Sequence, residues 1–101
     1  MRILARPIIN DFGRKHPPAV ITLMDWWQKT EKAKCANLNE LKTVFGSVDY
    51  IGNDRYVFNI GGNNYRLVGM IHFKTQRVYI RAILTHAEYD EHNKKGTLIA
   101  L

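Results

Sequence analysis

The 101-residue chain has one cysteine, Cys35, so no disulfide can close within it and no second thiol is available for a cysteine-based metal site. A reducing cytoplasm is the expected setting. Long apolar runs are absent too. The longest, "AVITLM" at Ala19 to Met24, is far short of the roughly 20 residues that a membrane-spanning helix needs, so no membrane partner is expected. The start "MRILARPIIN" carries arginines but no sustained apolar region followed by small residues, and does not read as a signal peptide. No Gly-rich phosphate loop with its lysine occurs; "GGNN" reads as a hairpin turn. His16 and His92 have no companions at metal-ligand spacing, so neither a zinc site nor any other cofactor is expected.

The most informative absence is of acid. Between Gly61 and His86 there is no Asp or Glu, while Arg66, Lys74, Arg77, Arg81 and two histidines, His72 and His86, lie in the same block. The whole chain carries a net charge of +6, and a basic block of this kind suits an anionic partner such as nucleic acid.

What is present is ordinary for a globular protein: 46% hydrophobic and 24% charged residues, enough to fold and of a length that fits one domain, residues 1–101. "RILA" reads as a short strand, and Asn10 as the N-cap of a segment beginning at Asp11. "HPP" interrupts the pattern, and a helix follows it, since proline is tolerated in a first turn. Val20, Leu23, Met24 and Trp27 recur at helical spacing and predict the buried stripe, with Trp26 left as an interface residue. Asn37 or Asn39 caps a short helix that ends at Gly46, and a loop or irregular strand follows to Asp54. Three strands, "RYVFNI", "YRLVGMIHF" and "RVYIRAILT", then form an antiparallel meander through the turns "GGNN" and "KTQ". The tail beyond Asp90 reads as a short helix or a frayed end.

Alternation sorts the strand side chains. In the second of these strands Tyr65, Leu67, Ile71 and Phe73 share a face with Gly69, leaving Arg66, Val68, Met70 and His72 opposite. In the third, Val78, Ile80, Ala82 and Leu84 form the apolar face, opposite Tyr79, Arg81, Ile83 and Thr85. With helices over the apolar faces, Arg66 and Arg81 both point to the open side of the sheet, where two guanidinium forks could hold adjacent phosphates or share one. They could equally be solvated cross-strand residues. Directly after the strand stand His86, a proton carrier near neutrality, and Tyr89, a second donor one helical turn on; the bland alternative is a strand-end histidine and a packed tyrosine. Asp90 and Glu88 could orient the histidine or cap the turn, with capping favoured, and His72 reads as a surface residue.

"YVFNIGGNNYRLV" followed by "YIRAILTHAEYD" resembles the HigB branch of the RelE-like toxins of type II toxin-antitoxin modules. The likeness extends to "RILARP" and the Trp-bearing helix and is strongest from Arg55 to Asp90. It implies an α+β fold with N-terminal helices on one face of a mainly antiparallel sheet. It implies also an endoribonuclease that cuts mRNA, in most members on the ribosome, and a HigA-type helix-turn-helix antitoxin as partner. Carried over by position, the family's strand arginines fall on Arg66 and Arg81 and its histidine and tyrosine on His86 and Tyr89. The better-known RelE pattern has lysines along the preceding strand, whereas "RYVFNI" offers Arg55 at its edge, which shifts weight onto His86. Arg66, Arg81, Arg55, His72 and Lys74 form the expected RNA-binding set.

Cleaving RNA without a metal requires taking the proton from a 2′-hydroxyl, stabilising charge on phosphorus and protonating the leaving 5′-oxygen. His86 is the expected base or acid, Tyr89 a donor or positioning group, and Arg66 with Arg81 the phosphate clamp. The alternative is a non-catalytic RNA- or ribosome-binding module built on the same face.

Overall fold

A computed structural model describes residues 1–62 and 64–101. In chain order it contains β1 (Arg2–Leu4), α1 (Arg6–Lys15), α2 (Val20–Lys32), α3 (Leu38–Val44), β2 (Val48–Gly52), β3 (Arg55–Ile60), β4 (Tyr65–His72), β5 (Arg77–Thr85) and α4 (His86–Lys95), with 3₁₀ turns at Pro17–Ala19 and Leu98–Ala100. One sheet holds all the strands in the order β1-β5-β4-β3-β2, antiparallel throughout except that β1 runs parallel to β5. The fold is α+β, with α1 to α3 packed on one face of the sheet.

Local chemistry accounts for most of the boundaries. Asn37 caps α3 by accepting the Glu40 amide, and α4 opens on a reciprocal capping box between Thr85 and Glu88 and closes at left-handed Gly96. The β3–β4 turn includes Asn63, which lies outside the described residues; Gly61 and Gly62 enter it with positive φ. Residues 48–52 pair with β3 as a regular strand up to a register shift at Gly52. Helix α1 begins at Arg6, not near Asp11 as Asn10 suggested. Pro7 sits in its first turn, where its missing amide costs nothing, and Ala5 precedes it in the left-handed region.

The turn of α2 differs from the one its apolar spacing predicts. Its buried side is Leu23, Trp26 and Thr30, continued by Ala19 and Ala33 at its two ends. Val20 and Met24 are 39% and 54% exposed. Trp26, not Trp27, is the core tryptophan, edge-on to Phe58 with centroids 5.4 Å apart. Small Ala19 and Thr30 let this side approach the sheet, and the Thr30 hydroxyl is satisfied by donating to the Trp26 carbonyl at 2.7 Å. Trp27 lies on the flank, its ring under the Arg6 guanidinium at 4.6 Å.

A bulge in β5 divides the two cores. Val68 pairs with Ala82 but Gly69 with Ile80, so Arg81 is an extra residue in its strand. Alternation therefore restarts after it. Val78, Ile80 and Ile83 join the helix-side core, whereas Leu84 and Ala82 pack on the outer face with Val57, Val68, Leu98, Tyr89 and Leu101. The expected grouping of Ala82 and Leu84 with Val78 and Ile80 is overturned by that single residue. β4 keeps its expected faces, Leu67 and Ile71 toward the helices and Val68 outward.

Candidate functional site

The outer face of the sheet is covered in part by α4 and by the turn after it. Arg66 is therefore buried, at 9% exposure, and not open to solvent as alternation alone suggests. Its guanidinium lies over the Tyr89 ring, 5.2 Å from the centroid, and its Nη1 donates to the Tyr65 carbonyl at 3.1 Å. The pairing of Arg66 with Leu84 and of Tyr65 with Thr85 sets this contact beside the start of α4.

His86 is the first residue of α4, tied to the β3–β4 turn by its amide, which donates to the Asn64 carbonyl at 3.1 Å. Its side chain is half exposed, and its Nδ1 meets Oδ2 of Asp90, one turn on, at 2.9 Å. With Nδ1–H donated to the carboxylate, the lone pair sits on Nε2 and that edge is the one able to accept or pass a proton. Asp90 thus pairs with His86 and takes no part in the cap, which is made by Thr85 and Glu88. The i, i+4 spacing of His86 and Asp90 was the signal for it in the sequence.

Arg81 stands elsewhere on the face. It is five residues before His86 along a strand, roughly 16 Å of extended chain. Its Nε donates to the Leu101 main-chain oxygen at 3.2 Å, and Arg55 Nε donates to the same oxygen at 2.9 Å. Arg55 is cross-strand from Met70 and also touches its sulfur. His72, at the end of β4, is edge-on to Tyr79 with centroids 5.8 Å apart, and Lys74 follows in the exposed β4–β5 turn. The expected residues fall into three groups along β4: Arg66 with His86, Tyr89 and Asp90; then Arg55 with Arg81; then His72 with Lys74. The head groups of Arg66 and Arg81 are engaged in different places, which suits two phosphates better than one shared between them.

A cavity of about 920 Å³ lies at the far end, lined among others by Arg2, Lys34, Cys35, Lys74 and Gln76. Cys35 in its wall is buried, and that burial, with Glu40 nearby, pushes its thiol pKa up, toward an unreactive protonated state. Among the described residues no helix is long and apolar enough to cross a membrane.

Residues 20–92 match the family model described as HigB_toxin, the RelE-like toxic component of a toxin-antitoxin system. The chain belongs to the HigB toxin family. The match takes in the whole sheet except β1, and with it Arg55, Arg66, Arg81, His86 and Tyr89. The mRNA interferase toxin HigB of Escherichia coli K12 is 35% identical over 103 residues, which span 95% of this chain and 98% of that protein. The mRNA interferase HigB of Shigella flexneri is similar to the same extent, and that of E. coli O6:H1 is 29% identical over 93 residues, 90% of each chain. Membership of HigB, the toxic half of a two-part system, implies an antitoxin as partner. It also accords with the α+β architecture, in which a basic sheet face is left between α4 and the β4–β5 turn.

Proposed function

We propose that this chain is, as a single domain, a metal-independent endoribonuclease that cleaves messenger RNA, on translating ribosomes in the cytoplasm, and that a HigA-type helix-turn-helix antitoxin neutralises it. The observation that carries this reading is the exposed His86–Asp90 pair, 2.9 Å from nitrogen to oxygen, at one end of a basic face whose strands β3, β4 and β5 carry no Asp or Glu. The similar proteins from Escherichia coli and Shigella flexneri are named as mRNA interferases, which points the same way.

In this reading single-stranded RNA lies along β4, its phosphates met in turn by Arg55 and Arg81 and by His72 and Lys74. The scissile phosphate sits at the start of α4. His86, its Nδ1 held by Asp90, takes the 2′-hydroxyl proton at Nε2, and the 2′-oxygen attacks its own phosphorus. The 5′-oxygen leaves with a proton, for which the Tyr89 hydroxyl, one helical turn on from His86, is the candidate donor, and a 2′,3′-cyclic phosphate remains. Arg66 lies behind the Tyr89 ring, where it holds the ring and adds positive charge under the developing phosphorane. Positioned acid–base groups typically contribute about 10² to 10⁴ each in rate.

The test is inducible expression with mapping of RNA 5′ ends. New ends inside coding regions together with growth arrest are expected. Normal growth and intact messages at confirmed soluble expression would overturn the reading in favour of a non-catalytic RNA- or ribosome-binding module.

A further inference from the structure

Two guanidinium groups converge on one oxygen in this fold. Arg55 from β3 and Arg81 from the β5 bulge each aim an Nε–H at the Leu101 main-chain oxygen, at 2.9 and 3.2 Å. Two Nε donors on a single oxygen are the arrangement that binds an oxyanion. Arg55 Nη1 is further held by the Asn53 carbonyl at 2.9 Å, so its fork is oriented from behind. The bulge gives Arg81 its place, because an unpaired extra residue is re-aimed relative to the strand.

The segment that fills this position is short, and its Leu101 side chain packs at the edge of the outer-face cluster. It leaves α4 at Gly96, whose φ of 71° is a natural pivot, and forms one 3₁₀ turn, Leu98–Ala100. Leu98 is its anchor, 5% exposed against Val57, Val68 and Leu84. Beyond Leu98 the main-chain bonds are those of Ala100 to Thr97 at 3.1 Å and of Leu101 to Leu98 at 3.2 Å, with Asn53 Nδ2 on the Ile99 carbonyl at 3.1 Å. Ile99 is 43% exposed.

We propose that Arg55 and Arg81 form a second anion site, for a phosphate of the bound RNA strand away from the one that is cut, and that the Ile99–Leu101 segment occupies it in the free protein and peels away when that phosphate arrives. Leu98 stays seated as the anchor while the residues after it swing out. The proposal rests on reading this face as an RNA surface, and it adds a self-occupied state: the free toxin holds part of its own phosphate track closed.

The experiment follows the Arg55 and Arg81 Nε–H signals and the exchange of the Ala100 and Leu101 amides by NMR. Two probes are added separately to the full chain: inorganic pyrophosphate, and a short 2′-O-methyl single-stranded RNA that cannot be cut. Both Nε–H signals are expected to shift along one binding curve while the two amides exchange tenfold or more faster. Arg81→Gln should weaken pyrophosphate binding about tenfold and abolish the faster exchange. RNA that binds while the two amides stay as protected as before overturns the proposal and leaves the RNA reading standing. Pyrophosphate that opens the segment while RNA fails to bind overturns the RNA reading and upholds the anion site. If neither probe moves the two Nε–H signals, the anion site is refuted.

Discussion

The Arg66 guanidinium rests on the Tyr89 ring, 5.2 Å from its centroid, with only 9% of the arginine exposed. A buried cation over an aromatic face contributes about 1–2 kcal/mol. Tyr89→Ala should therefore lower stability by about that amount, on urea denaturation, and open Arg66 to solvent. Tyr89→Phe keeps the ring and should leave stability near the parent's. If the hydroxyl protonates the leaving oxygen, Tyr89→Phe should cut RNA about 10²-fold more slowly; a parental rate would remove the hydroxyl from the chemistry.

Separating catalysis from binding falls to His86 and Asp90. His86→Gln keeps size and a hydrogen-bonding group but carries no proton between solvent and substrate. Cleavage in a ribosome-containing assay should drop by roughly 10² or more, with affinity for uncleavable RNA within about twofold. Asp90→Asn leaves an oxygen near Nδ1 but no charge, and should lower the turnover rate with little change in KM. Equal rates for parent and His86→Gln would move the search for a base along the face to His72.

Salt dependence reads the phosphate contacts. Each contact to single-stranded RNA contributes a slope of about −0.7 in log K against log salt. Arg81→Ala should flatten the slope by about one such step while circular dichroism and melting stay parental, because Arg81 is exposed and outside both cores. An unchanged slope would place RNA elsewhere.

The two tryptophans should differ in what their loss costs. Trp26→Ala, at a site 2% exposed, should destabilise by about 3–5 kcal/mol, and Trp27→Ala by about 1–2 kcal/mol, from partial burial and the Arg6 contact. The indole N–H of Trp26 finds no acceptor among the described residues. Trp26→Phe removes that unpaired donor along with some volume, so it should cost well under half of Trp26→Ala in a denaturant titration.

Alkaline pH should weaken the fold through Cys35. Burial, and then Glu40, raise its thiol pKa in the folded chain, so the unfolded chain releases the proton first. The folded state then holds more protons, and its advantage is complete below the unfolded value of about 8.5 and is lost as pH rises through the folded one. Melting temperature should decline in that window, and Cys35→Ala should remove that part of the decline. Tyr56, also raised by burial, should leave a residual fall starting above about pH 10.

Period and punctuation alone determined the meander β3–β4–β5, the cap of α3 and the two faces of β4, because these follow from bonds and side-chain alternation within a few residues. The composition of one block likewise determined that the sheet would carry a basic face. The α2 stripe shows where local information stops. Val20, Leu23, Met24 and Trp27 and the observed Leu23, Trp26 and Thr30 are both helical stripes, and which one is buried depends on what the sheet offers opposite, here Phe58 and the room beside Ala19. The β5 bulge is invisible for the same reason: one unpaired residue changes nothing in the strand's composition, yet it re-sorts Ala82, Ile83 and Leu84. Only the tertiary structure decided that Arg66 would lie under Tyr89 and that Arg81 would meet Leu101, since both contacts join segments brought together by packing. His86 and Asp90, one helical turn apart, stand between the two cases: their spacing is written in the sequence, but a pair becomes a contact only once α4 has formed where β5 ends.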